Sequence, residues 1–336
     1  MDEKSLNELI QKGDTKAIEK ELNNGLNVDF TFKENSINNE IGGYTLLDVA
    51  VSARRKEVVQ FLVDHGADVK RSRNWPGATT ELIGSFSLQN TCMYSCLVRG
   101  DVEIARILVK AGFDVNLQDM RQCSSLWHAV DSGNCEMVDT ILESPSVNIE
   151  LHDMTYLRPL HVAALHGNGK IVTHLLRKGA NPNALHVFGN TPLIMACKAN
   201  SYESVHQLLL YGAKVNTGSI YGVTPLSKFL HNPPTLQDLR IFDLLLSAGA
   251  SVLDTELNEW KQHEHLQIFL DHPQIYDALK QISSTPSSLK ILTCKYIRFR
   301  IKKCLMKKQA DFNIISVLSS LPLPSMLKQE LSLELN

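Results

Sequence analysis

The sequence predicts an all-α protein in which short helical repeats stack into a solenoid. The first observation is a fixed period, because one leucine position recurs at intervals of 34, 33 and 33 residues along the series Leu126, Leu160, Leu193 and Leu226. The second is that a copy opens with a helix-start signal such as Thr191-Pro192 and closes with a pair such as Gly212-Ala213. A period of about 33 residues is typical of stacked helix pairs, each burying an apolar face against its neighbour.

Each repeat is predicted to contain a capped helix, a tight turn, a second helix and a glycine stop. Thr224 can cap the first helix, and Pro225 suits its first position because that position needs no N–H group. Gly249 follows an apolar helical segment, where a left-handed residue ends a helix.

The segment Arg158-Pro159-Leu160-His161-Val162-Ala163 resembles the core of the ankyrin repeat, Thr-Pro-Leu-His-x-Ala. The resemblance extends from Leu126 to Ala250 and implies a stack of ankyrin repeats that holds another protein. The first unit, Leu6 to Asp29, lacks the Thr-Pro start and is interpreted as a terminal cap, which repeat stacks require. Six repeats are expected after this cap, with an insertion near Arg71–Ser87.

The 33-residue rhythm stops after Ala250, and a basic, amphipathic segment begins near Ser288. Its Ser288-Leu289, Leu292 and Ile297-Arg298 resemble the first helix of the SOCS box, and Thr293 stands where that family has cysteine. Further along, Leu321-Pro322-Leu323-Pro324 matches the family's Leu-Pro-x-Pro segment. The resemblance implies a small box of three helices.

The SOCS-box resemblance also implies partners. It assigns Leu289, Leu292, Thr293 and Ile297 to binding elongin B and elongin C. It assigns Leu321, Pro322, Leu323 and Pro324 to a cullin of the cullin-five type, which carries a RING subunit. The predicted organisation is a capping repeat with an insertion over 1–42, ankyrin repeats over 43–252, a helical extension and linker over 253–285, and the SOCS box over 286–336.

Ankyrin repeats followed by this box resemble the ankyrin repeat and SOCS box family, which implies the substrate-recognition subunit of an elongin–cullin–RING ubiquitin ligase. No motif of a catalytic site accompanies the repeats, so the chain is not expected to be an enzyme, and the chemistry would belong to partner subunits. Two alternatives stay open: an ankyrin scaffold or inhibitor without a ligase, and nucleic-acid binding through the basic run Lys290 to Lys308.

The target protein is not identified by the sequence, but candidate contact residues are. Phe188 and Tyr221 are large aromatics at equivalent loop positions, and exposed aromatics suit binding hot spots. Phe188 can instead pack between adjacent loops. Trp127 occupies the histidine position of its own repeat, where packing is the alternative to target contact.

Composition limits the other partners. A net charge of −2 gives no bias toward nucleic acid or a membrane, and neither is expected as a partner. Seven cysteines without a C-x-x-C pair fit a reducing compartment, so a cytoplasmic location is expected, with the nucleus as alternative. No cofactor is expected. No metal is expected either, because His263-Glu264-His265 lacks the H-E-x-x-H spacing and the histidine of the ankyrin motif bonds local backbone.

Overall fold

The computed structural model describes residues 2–32, 44–70, 91–231 and 239–251. These ranges contain fourteen α-helices and no β-strand. Two isolated bridges, Thr31 with Thr45 and Gln118 with Ser124, are the strand-like pairings within them. The all-α prediction is confirmed for this part of the chain.

The helices form seven consecutive pairs within the described ranges, which matches one cap and six repeats. The pairs are α1 (Glu3–Lys12) with α2 (Thr15–Asn23), α3 (Leu46–Ser52) with α4 (Lys56–Asp64), α5 (Cys92–Arg99) with α6 (Val102–Lys110), α7 (Ser125–Asp131) with α8 (Cys135–Leu142), α9 (Pro159–Leu165) with α10 (Gly169–Arg177), α11 (Pro192–Lys198) with α12 (Tyr202–Leu210), and α13 (Pro225–His231) with α14 (Leu239–Ser247).

The pairs stack in chain order. The first helix of each pair packs on the first helix of the next, and the second helices pack on one another in the same way. One hydrophobic core runs through the stack, and the leucines that mark the period are almost completely buried in it: Leu126, Leu160, Leu193 and Leu226. The repeat period therefore marks positions of the hydrophobic core.

The residues predicted to begin and end the helices form the expected caps and stops. The Thr191 hydroxyl accepts a hydrogen bond from the Ile194 amide at 3.3 Å, and the Thr224 hydroxyl accepts one from the Ser227 amide at 3.1 Å. Gly212 follows α12 with a φ of 86°, in the left-handed region where a side chain is strained. Each helix is therefore short because the sequence ends it locally.

Asparagine side chains tie neighbouring repeats together. Asn183 donates to the Gly212 carbonyl at 3.1 Å and accepts from the Lys214 amide at 2.7 Å. Asn216 makes the same two bonds one repeat later, to Gly249 at 3.0 Å and Ser251 at 2.9 Å. These bonds satisfy backbone groups of loops and fix the loops of successive repeats relative to each other.

Other predicted segments lie outside the described residues. These are the insertion near Arg71–Ser87, the extension over 253–285 and the SOCS box over 286–336. Among the described helices, none has the length and apolar character needed to cross a membrane.

Candidate functional site

Four loops of like geometry precede the first helices α7, α9, α11 and α13. We call them fingers 1 to 4; they comprise residues 118–124, 152–158, 185–191 and 218–224. In finger 2 the Asp153 carboxylate accepts from the amides of Thr155 and Leu157 at 2.8 and 2.9 Å. In finger 4 the Ser219 hydroxyl accepts from the amides of Tyr221 and Val223 at 3.2 Å each. A polar side chain thus closes each of these tight turns.

Backbone hydrogen bonds join each finger to the next. The Met154 amide donates to the Arg121 carbonyl at 3.0 Å, joining finger 2 to finger 1. The Val187 amide donates to the Thr155 carbonyl at 3.0 Å, and the Ile220 amide donates to the Phe188 carbonyl at 3.1 Å. The four fingers therefore form one continuous edge along the stack.

This edge is strongly apolar. Among the described residues, eleven large hydrophobic side chains are exposed, and eight of them lie in the fingers. We call these eight the finger ridge: Met120, Met154, Tyr156, Leu185, Val187, Phe188, Ile220 and Tyr221. Exposed apolar side chains scattered singly are ordinary, whereas a contiguous set indicates an interaction surface.

Phe188 and Tyr221 form the aromatic part of the ridge. Their ring centroids lie 6.2 Å apart, and Phe188 also contacts the His186 ring edge-on at 5.6 Å. Phe188 is 48% exposed and Tyr221 is 72% exposed. Phe188 is therefore compatible both with loop packing and with target contact. Its ring packs against the neighbouring loop, and about half of its surface remains exposed.

Tyr156 occupies a strained position on the ridge. Its φ is 61°, whereas the equivalent residues of fingers 3 and 4 are Gly189 and Gly222, with φ of 73° and 74°. A left-handed conformation costs a residue with a side chain roughly 1 kcal/mol. Tyr156 is 52% exposed and stacks on His152 at 4.5 Å. Since glycine would relieve the strain, folding alone does not explain this tyrosine.

Trp127 lies in the core and not on the surface. It is 8% exposed, and its indole N–H donates to the Leu157 carbonyl at 3.2 Å. The structure favours packing over target contact for Trp127, because almost all of its side chain is buried inside the stack.

His161 is a buried structural residue. Its Nδ1 accepts from the Arg158 amide at 3.3 Å, and its Nε2 donates to the carbonyls of Ala184 at 3.0 Å and Asn190 at 3.2 Å. Burial lowers the pKa of His161 to about 4. The neutral imidazole thus fastens finger 3 to helix α9, which agrees with the backbone role expected for the motif histidine.

The sequence motifs predict no metal site, yet finger 1 brings three side chains of ligand type together. The Asp119 carboxylate, the Cys123 thiol and the His128 imidazole place their ligand atoms within 4.8 Å of one another. Their spacing, D-x3-C-x4-H, matches none of the familiar metal motifs. A comparison of equivalent positions between repeats could have revealed this cluster. The next repeat has Leu157 and Val162 where this one has Cys123 and His128, so the thiol and the imidazole depart from the apolar pattern.

The residues assigned to elongin and cullin lie outside the described residues. The structure therefore places none of the set Leu289, Leu292, Thr293 and Ile297, and none of the set Leu321, Pro322, Leu323 and Pro324. Their assignment stays a prediction from the sequence.

Comparison with known proteins identifies the repeats. A family model of ankyrin repeats in three copies matches residues 156–256, and a single ankyrin-repeat model matches residues 42–75. Both matches overlap the described repeat stack, so the fold and the family models agree that the chain contains ankyrin repeats. This is the class of module to which the finger ridge belongs.

Curated proteins with very different names are similar to parts of this chain. The chain is 27% identical over 146 residues to Transient receptor potential cation channel subfamily A member 1 of Drosophila melanogaster, covering 42% of this chain and 12% of that protein. It is 29% identical over 168 residues to the B-cell lymphoma 3 protein homolog of Mus musculus, covering 49% and 37%. It is 37% identical over 94 residues to Ankyrin repeat and SOCS box protein 16 of Homo sapiens, covering 28% and 20%. The chain thus spans well under two thirds of each of these relatives, and the shared repeats do not fix a common activity.

Proposed function

We propose that this protein is the target-recognition subunit of an elongin B/C–cullin–RING ubiquitin ligase. In this proposal the ankyrin stack binds the target protein and the C-terminal segment binds the other subunits. The ubiquitin chemistry belongs to those partners, and this chain chooses and positions the target.

The finger ridge is the observation that supports target binding. Eight exposed apolar side chains lie on loops that backbone hydrogen bonds between successive fingers hold in place. Preformed surfaces lose little conformational entropy on binding, so the apolar contact area contributes more fully to affinity. The ridge suits a partner with a complementary apolar surface, with Phe188 and Tyr221 as the central aromatic contacts.

The C-terminal motifs support the ligase assignment. Ser288-Leu289, Leu292 and Ile297-Arg298 carry the adaptor pattern, and Leu321-Pro322-Leu323-Pro324 carries the cullin pattern. One human relative, matched over 94 residues, has a name that combines ankyrin repeats with a SOCS box. The alternative is an ankyrin scaffold or inhibitor that uses the same ridge without a ligase.

Co-purification of the full chain with elongins B and C tests the ligase assignment. The parent is expected to bring down both elongins, and Leu289→Asp is expected to lose them because it places a charge in an apolar contact. Lys290→Asp is the matched control, since it adds the same acid one residue away among the basic side chains. Changing Pro322 and Pro324 to alanine should weaken cullin recruitment and leave elongin binding intact, because the rigid segment becomes flexible. Absence of the elongins from the parent complex would favour the scaffold alternative.

A further inference from the structure

We propose that Asp119, Cys123 and His128 form a binding site for a thiophilic divalent cation such as Zn²⁺, at the junction of finger 1 and helix α7. The proposal does not depend on the ligase function. It rests on the geometry of the three side chains and on how this repeat differs from its neighbours.

The three groups are close and mostly shielded from solvent. His128 Nε2 lies 2.9 Å from Asp119 Oδ2, and the Asp119 carboxylate is fully buried while the His128 side chain is 13% exposed. Cys123 is also buried. Thiolate, imidazole and carboxylate are the three ligand types that Zn²⁺ takes in proteins, and three protein ligands leave a fourth position for water.

The turn itself leaves ligand atoms available. Asp119 Oδ1 accepts from the amides of Arg121 and Cys123 at 2.8 Å each, so that oxygen holds the turn. The other oxygen, Oδ2, faces His128 and can coordinate an ion without opening the turn. The hydrogen bonds to Oδ1 would also fix the orientation of the ligating carboxylate, as outer-shell bonds do in known metal sites.

The fold does not require this combination of residues. Finger 2 builds the same turn with Asp153, whose Oδ1 accepts from the amides of Thr155 and Leu157. Its residues equivalent to Cys123 and His128 are Leu157 and Val162, which cannot bind a metal. Compared with the next repeat, the thiol and the imidazole are therefore additions, and both lie within 4.8 Å of the same carboxylate.

Charge balance favours a divalent ion. Binding would release the thiol proton of Cys123 and would move the imidazole proton of His128 from Nε2, where it is donated to Asp119, to Nδ1. The two negative charges of thiolate and carboxylate then neutralise the two positive charges of the ion. Thiolate ligation selects Zn²⁺ over Mg²⁺ and Ca²⁺.

The test uses the full chain stripped of metal and titrated with Co²⁺, a spectroscopic substitute for Zn²⁺. We expect about one equivalent to bind with a thiolate-to-cobalt charge-transfer band, and Zn²⁺ to displace it. Cys123→Ser should abolish the band. His128→Gln keeps a donor for Asp119 and should weaken binding by at least roughly tenfold, the loss that even an outer-shell change causes.

Cys135→Ser is the control, because Cys135 is a partly exposed thiol on helix α8 outside the cluster, and its variant should bind Co²⁺ as the parent does. Circular dichroism of the metal-free variants shows whether each retains the helical stack. If the parent shows no thiolate band, or if both Cys123→Ser and His128→Gln bind Co²⁺ like the parent, the site does not exist.

Discussion

The aromatic rings of Phe188 and Tyr221 lie 6.2 Å apart on two fingers one repeat apart. The Ile220 amide donates to the Phe188 carbonyl at 3.1 Å, so the two rings are held at a defined separation by the backbone. Both rings remain exposed, which makes this pair the most prominent aromatic feature of the finger ridge.

The double substitution of Phe188 and Tyr221 by alanine tests the ridge. The variant should fold as the parent does, because neither side chain belongs to the buried core. It should lose partner binding by roughly tenfold or more, as hot-spot truncations do. Quantitative mass spectrometry of proteins captured by parent and variant gives the measurement. Tyr202→Ala removes an exposed aromatic from helix α12 and should change nothing. Equal capture by all three forms would place the target surface elsewhere.

Tyr156 should show a conflict between stability and binding. Tyr156→Gly and Tyr156→Ala both remove the ring, but only glycine relieves the left-handed backbone strain at a φ of 61°. We expect the glycine variant to be more stable than the alanine variant by about 1 kcal/mol, with both weakened in partner binding. Urea denaturation gives the stability difference. An alanine variant as stable as the glycine variant would mean that the strain is not real.

Leu193 and Leu226 are expected to contribute strongly to the free energy of unfolding. Each lies in the first helix of its repeat and is fully or almost fully buried. Substitution by alanine leaves a cavity and should lower the free energy of unfolding by roughly 2–5 kcal/mol. Leu185→Ala, at an exposed finger position, should cost far less. Unchanged denaturation midpoints for the two core variants would refute the repeat register.

His161 should make the stack sensitive to acid. Its pKa is about 4 in the folded chain against an ordinary 6.5, because burial disfavours the imidazolium. The unfolded chain therefore binds more protons between these values. The stability contribution is complete above about pH 6.5 and falls as pH drops toward 4, by at most roughly 3 kcal/mol.

The His161→Gln variant isolates this effect. Glutamine can still donate to the Ala184 and Asn190 carbonyls but does not titrate. Unfolding free energies of parent and variant are measured across this pH range. As pH falls from about 6.5 toward 4, the parent should lose free energy of unfolding relative to the variant, by at most roughly 3 kcal/mol. Parallel curves would show that His161 does not titrate between the folded and unfolded states as its burial requires.

The repeat stack was predictable because its signals are local. Leu193 marks a core position, Thr191 caps a helix and Gly212 ends one, and each acts within a few residues of itself. The sequence did not show whether Trp127 is buried or exposed. Its place in the repeat motif does not reveal which residues of the next repeat cover it. The grouping of Asp119 with His128 escaped prediction because it depends on a turn that folds the chain back on a helix.

The finger ridge was predictable only in part. Phe188 and Tyr221 stand at equivalent positions, so their proximity follows from the repeat period. Met120 and Met154 stand one position before the aromatic position in their own fingers. Backbone hydrogen bonds between the fingers hold them on the same edge. Met120, Met154, Val187 and Ile220 recur at intervals of 34, 33 and 33 residues, so the repeat period also aligns these four residues. The period does not show that their side chains are exposed, because core and surface positions recur with the same spacing.

The central proposal is that the finger ridge binds a target protein while the C-terminal segment binds the ligase subunits that ubiquitylate this target. Its most direct test is a proteome-wide measurement of ubiquitylated peptides after proteasome block in cells expressing the parent, the Phe188/Tyr221 double alanine variant or Leu289→Asp. We expect a set of proteins whose ubiquitylation rises with the parent and with neither variant. A set that rises equally with the parent and with Leu289→Asp would contradict it.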